Sequence, residues 1–186
     1  MSKMFITCLT QSVHLFLLTD EKRDEVVQLL VKAGGELSRM DSRGFTPLHN
    51  CAFQTVFNNY SMSTLRILVE SGCLLTSSTR SGVEPRHSPL CWFVWRGYFE
   101  AARYLINSGW NLYPESWMYL PGKSPEQDSF HQWMRDLCRD VPSLMHLCRD
   151  TVRHHLIQCS VGREILTSLS KLDVPRTLRD YLMLRD

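Results

Sequence analysis

Hydrophobic residues recur at helical spacing in three segments of the chain, and each segment carries a glycine at the same offset near its end. The segments are residues 25–37, 63–75 and 100–112, and the glycines are Gly34, Gly72 and Gly109. Apolar residues three and four positions apart share one face of a helix. A glycine just past the last turn favours the left-handed conformation that ends a helix. The pattern therefore predicts three amphipathic helices with a common stop signal.

A shorter apolar segment precedes the second and the third of these helices. Residues 45–53 read FTPLHNCAF, and residues 87–95 read HSPLCWFVW. Thr46 and Ser88 are residue types that cap helix N-termini, and each precedes a proline that fits the first helical position. Each unit therefore reads as a turn, a short helix, a second turn and a longer helix.

This unit resembles the ankyrin repeat, whose period is about 33 residues and whose signature is T-P-L-H-x-A. The resemblance implies a solenoid of about three repeats over residues 1–112, with His49 as a structural histidine that bonds across its turn. Residues 4–18 keep the helical spacing of apolar residues but lack the T-P-L-H motif. Either they pack against another surface, or a longer relative has repeats upstream. The finger turns and inner helices would hold a target protein, through Arg43, Phe45, Arg80, Glu84 and Arg86.

A linking segment follows the third repeat. Residues 113–130 are rich in proline, glycine and polar residues, which predicts a loop with a short helical turn near SWMYL. Residues 130–138 have apolar residues on one helical face, and Pro142 stops that helix. We therefore expect a linker and capping helix over residues 113–140.

A further helix is predicted to begin near Ser143. Its apolar stripe runs through Leu144, Cys148, Val152 and Leu156, four residues apart, with Leu147 and Thr151 beside it. A helix this short needs a partner for such a stripe. We expect proline at position 144 to break the helix. The opposite face carries Arg149, Asp150, Arg153 and His154. We expect this face to meet solvent, so Arg153→Ala should be a harmless surface change.

Two other interpretations of this region are weaker. The tetrapeptide LCRD occurs at residues 137–140 and 147–150, but the flanking sequences differ, so it is not an internal repeat. The possible metal ligands lack the paired spacing of zinc sites, and we expect no metal and no cofactor. These ligands would have been Cys138, Cys148, His154, His155 and Cys159.

Composition and charge narrow the class of protein. The 186 residues carry a net charge of +2 with both signs interspersed, so we expect no nucleic-acid or membrane partner. Seven scattered cysteines suit reduced thiols, mostly buried, in the cytoplasm or also the nucleus. The N-terminus lacks the uninterrupted apolar run of a signal peptide. No nucleophile–base pair, phosphate loop or carboxylate pair stands out, which indicates a protein that is not an enzyme.

The helix predicted to begin near Ser143 is similar to the elongin-binding box of the SOCS-box family. The matching residues, which the resemblance would place on elongin-C, are Ser143, Leu144, Leu147, Cys148 and Val152. Downstream, residues 162–184 resemble the cullin-facing half of the module. The residues that would contact the cullin are Leu172, Val174, Pro175 and Leu178. The family's motif there is leucine, proline, an apolar residue and proline, and it reads Leu172-Asp173-Val174-Pro175 in this chain, so Asp173 replaces the first proline. The segment fits both cullin-5 and cullin-2 partners, and Tyr181-Leu182 favours cullin-5.

The whole chain resembles the ankyrin repeat and SOCS box family. This implies an all-α protein, with the repeats followed by a three-helix SOCS box at residues 141–186. By this resemblance the chain is a non-catalytic substrate-recognition subunit of a ubiquitin ligase. Its partners would be elongin-B, elongin-C, cullin-5 with its RING partner, and an unknown protein substrate. The alternative is an ankyrin scaffold whose C-terminal helices cap the stack, with Leu144 and Cys148 buried inside the chain.

Overall fold

A computed structural model of the protein describes residues 20–42, 44–57, 60–75 and 88–185. Over these ranges the regular structure is helical and no strand occurs, so the predicted all-α class is confirmed there. The predicted helix at residues 4–18 and the turn at residues 76–86 lie outside the described residues. The α-helices are α1 (Asp20–Lys32), α2 (Pro47–Phe53), α3 (Met62–Ser71), α4 (Pro89–Trp95), α5 (Phe99–Asn107), α6 (Pro125–Leu137), α7 (Leu144–Cys159), α8 (Leu166–Ser170) and α9 (Arg176–Leu182).

The short helices α2 and α4 begin at the predicted caps. The Thr46 hydroxyl accepts the amide of His49 at 3.4 Å, and the Ser88 hydroxyl accepts the amide of Cys91 at 3.1 Å. His49 Nδ1 also lies 2.8 Å from the Thr46 hydroxyl, which is the bond across the turn expected for this histidine. A short 3₁₀ turn, Gln54–Phe57, extends α2. Local capping chemistry therefore fixes where both short helices start.

All three predicted glycine stops lie in the left-handed region. Their φ angles are +83° at Gly34, +101° at Gly72 and +103° at Gly109. At the end of α3 the Gly72 amide donates to Val69 O at 3.1 Å, and the Cys73 amide donates to Leu68 O at 3.1 Å. This pair of bonds satisfies carbonyls that the helix leaves open. The chain can therefore reverse directly after each longer helix.

The main hydrophobic core lies between the helix pairs. Helix α1 packs on α3, α2 packs on both α3 and α4, and α4 packs on α5. The two short helices are thus stacked side by side, with the longer helices on one side of them. The residues at the centre of this core are almost completely buried, and they include Leu48, Leu65, Leu68, Leu90, Phe93 and Leu105. Trp92, Trp110 and Trp117 are also buried, whereas half of the Trp95 side chain is exposed.

The linking segment is more ordered than the sequence predicts. A 3₁₀ turn, Ser116–Tyr119, occupies the predicted helical turn. Helix α6 begins at Pro125, so the prediction of a loop up to residue 130 was wrong. Ser124 caps the helix, proline takes its first position, and two acidic residues follow in the first turn. These three features are local start signals, and each favours a helix N-terminus.

The last three helices form a second, smaller core. Its buried members are Ile157, Ile165, Leu169, Leu182 and Met183, and Leu74 from the segment after α3 packs against them. Helices α7, α8 and α9 therefore make a module of three helices that has a small apolar contact with the segment after α3. Among the described residues, no helix is both long and apolar enough to cross a membrane.

Candidate functional site

Most of the predicted apolar stripe of α7 lies on the surface, but its last member, Leu156, is half-buried and packs on the second core. Leu144 is 76% exposed, and Leu147, Cys148 and Val152 are also classed as exposed. Met145 extends the same surface. The alternative interpretation required Leu144 and Cys148 to be buried inside the chain, and the structure contradicts it on that point. We call Leu144, Leu147, Cys148 and Val152 the α7 stripe.

The first turn of α7 is held by its cap. The Ser143 hydroxyl accepts the amide of His146 at 3.2 Å, and His146 Nδ1 lies 2.9 Å from the same oxygen. Leu144 is therefore the first helical residue. Proline is tolerated at that position because its missing N–H has no helical partner there. The expectation that proline at position 144 breaks the helix was wrong for this reason.

The face of α7 opposite the stripe is buried. It consists of Arg149, Arg153 and Ile157, which are spaced four residues apart. The prediction that Arg149 and Arg153 belong to a solvent face was therefore wrong. Only 3% of Arg149 and 5% of Arg153 is exposed. His154, by contrast, is exposed and hydrogen-bonds to Gln158.

The two buried arginines reach carbonyl oxygens at the ends of other helices. Arg153 donates to Val69 O at 2.6 Å and to Leu182 O at 2.8 Å. Arg149 donates to Asn107 O, the last residue of α5, and pairs with Asp150. Burial lowers the pKa of Arg153 from its ordinary value. The bonds to helix C-termini compensate the buried charge, because carbonyls there are unsatisfied and carry the negative end of the helix dipole.

Two glycine stops also bring the C-terminal module close to the ends of α3 and α5. A Cβ at Gly72 would lie 2.8 Å from Ile165 Cγ1, and a Cβ at Gly109 would lie 2.9 Å from the Asp150 carboxyl. The Ile165 amide donates to Ser71 O at 3.0 Å. Glycine is therefore required at these positions for two reasons: the backbone conformation, and the close approach of α7 and α8.

The predicted cullin-facing residues lie in and after the turn between α8 and α9. Leu172 and Val174 are half-buried, whereas Pro175 and Leu178 are exposed. The Arg179 guanidinium donates to Leu172 O at 3.0 Å and to Val174 O at 3.2 Å, which fixes the turn. Asp173, at the position of the missing proline, is exposed. Pro175 and Leu178 are therefore the members of this set that can most readily meet a partner.

Only one of the predicted target-binding residues can be placed. Phe45 is half-buried, and its ring stacks on His49 and meets the edge of Trp92. The Phe45 ring is therefore partly occupied by contacts within the chain. The other four predicted contacts, namely Arg43, Arg80, Glu84 and Arg86, lie outside the described residues.

The candidate metal ligands do not converge. In the ranges that the structure covers, no three His, Cys, Asp or Glu side chains group as they would around a metal ion. His155 Nε2 and Cys159 Sγ lie 3.5 Å apart. Cys51, Cys73 and Cys91 are buried, as expected of most cysteines here, but Cys148 and Cys159 are exposed.

The contribution of Arg149 and Arg153 was missed at the sequence level. The signal that could have found them is their register, because Arg149, Arg153 and the apolar Ile157 fall on one line of the helix. Two cations in line with a buried isoleucine indicate a face that packs against acceptors rather than against solvent.

Comparison with known protein families identifies the C-terminal module. Residues 140–183 match the family described as the SOCS box. The C-terminal module is a SOCS box. SOCS boxes generally bind elongin-B and elongin-C together with a cullin, in substrate receptors of ubiquitin ligases. Comparison of the whole chain with curated proteins finds no matching sequence.

Proposed function

We propose that the chain is the substrate-recognition subunit of an elongin–cullin ubiquitin ligase, in which α7 binds elongin-C. The observation that carries this proposal is the exposure of the α7 stripe within the SOCS box. Exposed apolar patches on folded proteins commonly mark interaction surfaces. The elongin-facing residues would be Leu144, Leu147, Cys148 and Val152, with Ser143 capping the helix that presents them.

The remaining partners follow from the same module and from the repeats. Pro175 and Leu178 would contact the cullin, and Tyr181-Leu182 favours cullin-5 over cullin-2. The ankyrin-like helix pairs would hold the target protein, and Phe57 and Trp95 offer exposed aromatic anchors there. The chain itself performs no chemistry in this proposal. It raises the effective concentration of the target near the activated ubiquitin.

The test of elongin binding uses co-expression with elongin-B and elongin-C. Leu144→Asp removes the most exposed leucine of the stripe and places a charge where an apolar pocket is expected. Aspartate in the first turn favours a helix, so the fold is retained. Loss of one buried leucine costs about 1.5–3 kcal/mol, which corresponds to a loss of affinity of roughly ten- to 150-fold. We expect co-purification to be lost.

The matched control is Leu29→Asp. Leu29 lies on α1 and is 66% exposed, so it experiences the same chemical change on a similar surface outside the SOCS box. Arg153→Ala is unsuitable as a control because Arg153 is buried. Equal recovery of the elongins with wild type, Leu144→Asp and Leu29→Asp would refute the α7 stripe as the elongin-binding surface, and no recovery with wild type would refute the proposed function. Adding cullin-5 or cullin-2 to the purified complex then identifies the cullin.

A further inference from the structure

Helix α7 has an unusual distribution of polarity. Leu144 and Leu147 face solvent, and its two central arginines face the protein. Arginine is among the residues least often buried, and a buried arginine normally has partners for its charge and its N–H groups. An arginine pair buried four residues apart therefore needs a specific acceptor surface beneath it.

That surface is formed by the C-terminal ends of three helices. Arg149 contacts the end of α5 through Asn107 O, and Arg153 contacts the end of α3 through Val69 O and Glu70 O. Arg153 also reaches Leu182 O, the end of α9. Each arginine thus joins the SOCS box to a different longer helix of the repeats. The side chain of Tyr181 covers Arg149, with its ring centre 5.0 Å from the guanidinium carbon.

The chemistry of this contact sets the rotation of α7 about its own axis. A guanidinium donates several N–H groups in a fixed planar fork, so it can bridge two helix ends at once. If α7 turned its leucines inward, both arginines would leave these acceptors. The close approach at Gly72 and Gly109 fits the same arrangement, since neither helix end carries a side chain that would hold the module away.

We propose that Arg149 and Arg153 are positioning residues that lock the SOCS box to the ends of the repeat helices. The lock holds the α7 stripe outward before any partner binds, and it makes the repeats and the SOCS box one rigid body. Its consequence for ligase geometry rests on the proposed function, whereas the lock itself does not. A rigid receptor presents a bound target to the activated ubiquitin in one orientation, which restricts the lysines that are reached.

The test measures the distance between the two parts of the full-length chain. The exposed residues Leu29 on α1 and Thr177 on α9 are replaced by cysteine, and each introduced cysteine carries a spin label. The distribution of distances between the two labels is recorded by electron paramagnetic resonance. Serine replaces the other accessible cysteines, together with Cys8, so that only the two introduced cysteines react. The serine positions are Cys8, Cys138, Cys148 and Cys159.

We expect one narrow distance distribution in the background protein. The double variant Arg149→Met/Arg153→Met keeps the volume of the side chains but removes every donor, and the distribution should broaden at least twofold. The matched control is Arg139→Met/Arg176→Met, because these arginines are 74% and 91% exposed and pair with nearby carboxylates on their own helices or turns. The control should leave the distribution unchanged.

Elongin binding is measured in parallel on unlabelled chains with native cysteines. We expect the Met double variant to bind elongin-B and elongin-C within about threefold of wild type, because the α7 stripe is intact. A narrow distribution in that variant would overturn the lock, whatever the elongin result. Failure of wild type to bind elongins would refute the proposed function but not the lock.

A second variant covers the case in which the Met double variant does not fold. Arg153→Lys keeps the charge but replaces the planar fork with a compact ammonium, which cannot span Val69 O and Leu182 O in the same way. Circular dichroism verifies its fold. The distribution should broaden less than in the Met double variant, and an unchanged distribution would overturn the proposal.

Discussion

The close approach of the SOCS box to the end of α3 can be tested at two glycines that end their helices in the same way. Gly34 follows α1 and Gly72 follows α3, with φ angles of +83° and +101°. A Cβ at Gly34 would meet no atom within 4 Å. A Cβ at Gly72 would lie 2.8, 3.0 and 3.1 Å from three side-chain carbons of Ile165. Gly34→Ala therefore isolates the backbone cost, and Gly72→Ala adds the steric cost.

The two costs can be estimated separately. Alanine in the left-handed region costs roughly 1–2 kcal/mol, and the stiffer unfolded chain returns about 0.4–1 kcal/mol of it. Gly34→Ala should therefore destabilise the protein by about 1 kcal/mol. Overpacking adds roughly 1–3 kcal/mol at Gly72. Ile165 is fully buried and its amide is bonded to Ser71 O, so it cannot simply withdraw.

The assay is urea unfolding followed by circular dichroism, with the free energy of unfolding taken for each variant. Ile165→Ala removes all three carbons that the new methyl group would meet. In that background Gly72→Ala should cost no more than Gly34→Ala does, so the coupling energy should be about 1–3 kcal/mol. Equal losses for Gly34→Ala and Gly72→Ala would refute the packing of Ile165 on the end of α3. An excess cost that survives Ile165→Ala would refute its assignment to this contact.

Two further predictions concern titratable side chains. In the folded chain the thiols of Cys148 and Cys159 should react with a disulfide reagent. Burial raises the pKa of the Cys73 thiol to about 12, so this thiol should react only after unfolding. Elongin-B and elongin-C should protect Cys148 but not Cys159, and unchanged labelling of Cys148 in the complex would contradict the proposed interface. Burial lowers the pKa of His49 from 6.5 to about 4, so as the pH falls between these values the unfolded chain takes up a proton that the folded chain does not. The free energy of unfolding should therefore fall by about 3 kcal/mol across this window, and His49→Asn should remove that part of the pH dependence; a variant with an unchanged pH profile would exclude His49 as its source.

The helix boundaries were largely predictable because their signals are local. Thr46 and Ser88 start helices through bonds to amides three residues ahead, and Gly72 ends one through bonds that stay within the same turn. The α7 stripe was predictable for the same reason, since spacing along one helix defines a face. Even the missed start of α6 was present locally, in Ser124 and Pro125, and was overlooked because the surrounding composition resembles a loop.

The environment of that face was not predictable, because it depends on residues distant in the sequence. Arg153 and Val69 O are joined by a bond across 84 positions, and Arg149 and Asn107 O by one across 42. No local pattern reports that three helix ends converge beneath α7. Hydropathy alone assigns leucine to the interior and arginine to the surface. In α7 this assignment is the opposite of the observed arrangement.

This reversal bears on how the elongin-binding surface is kept available. An isolated SOCS box could lower its free energy by turning its leucines onto any apolar surface nearby, which would hide them from a partner. The ends of α3 and α5 offer α7 backbone carbonyls instead, and these favour guanidinium groups over methyl groups. Each arginine that leaves its acceptors would lose charge-assisted hydrogen bonds worth about 1.5–3 kcal/mol apiece, which is comparable to the gain from burying one leucine. With two arginines in line, contacts on the opposite side of the helix favour the outward orientation of Leu144 before any partner binds.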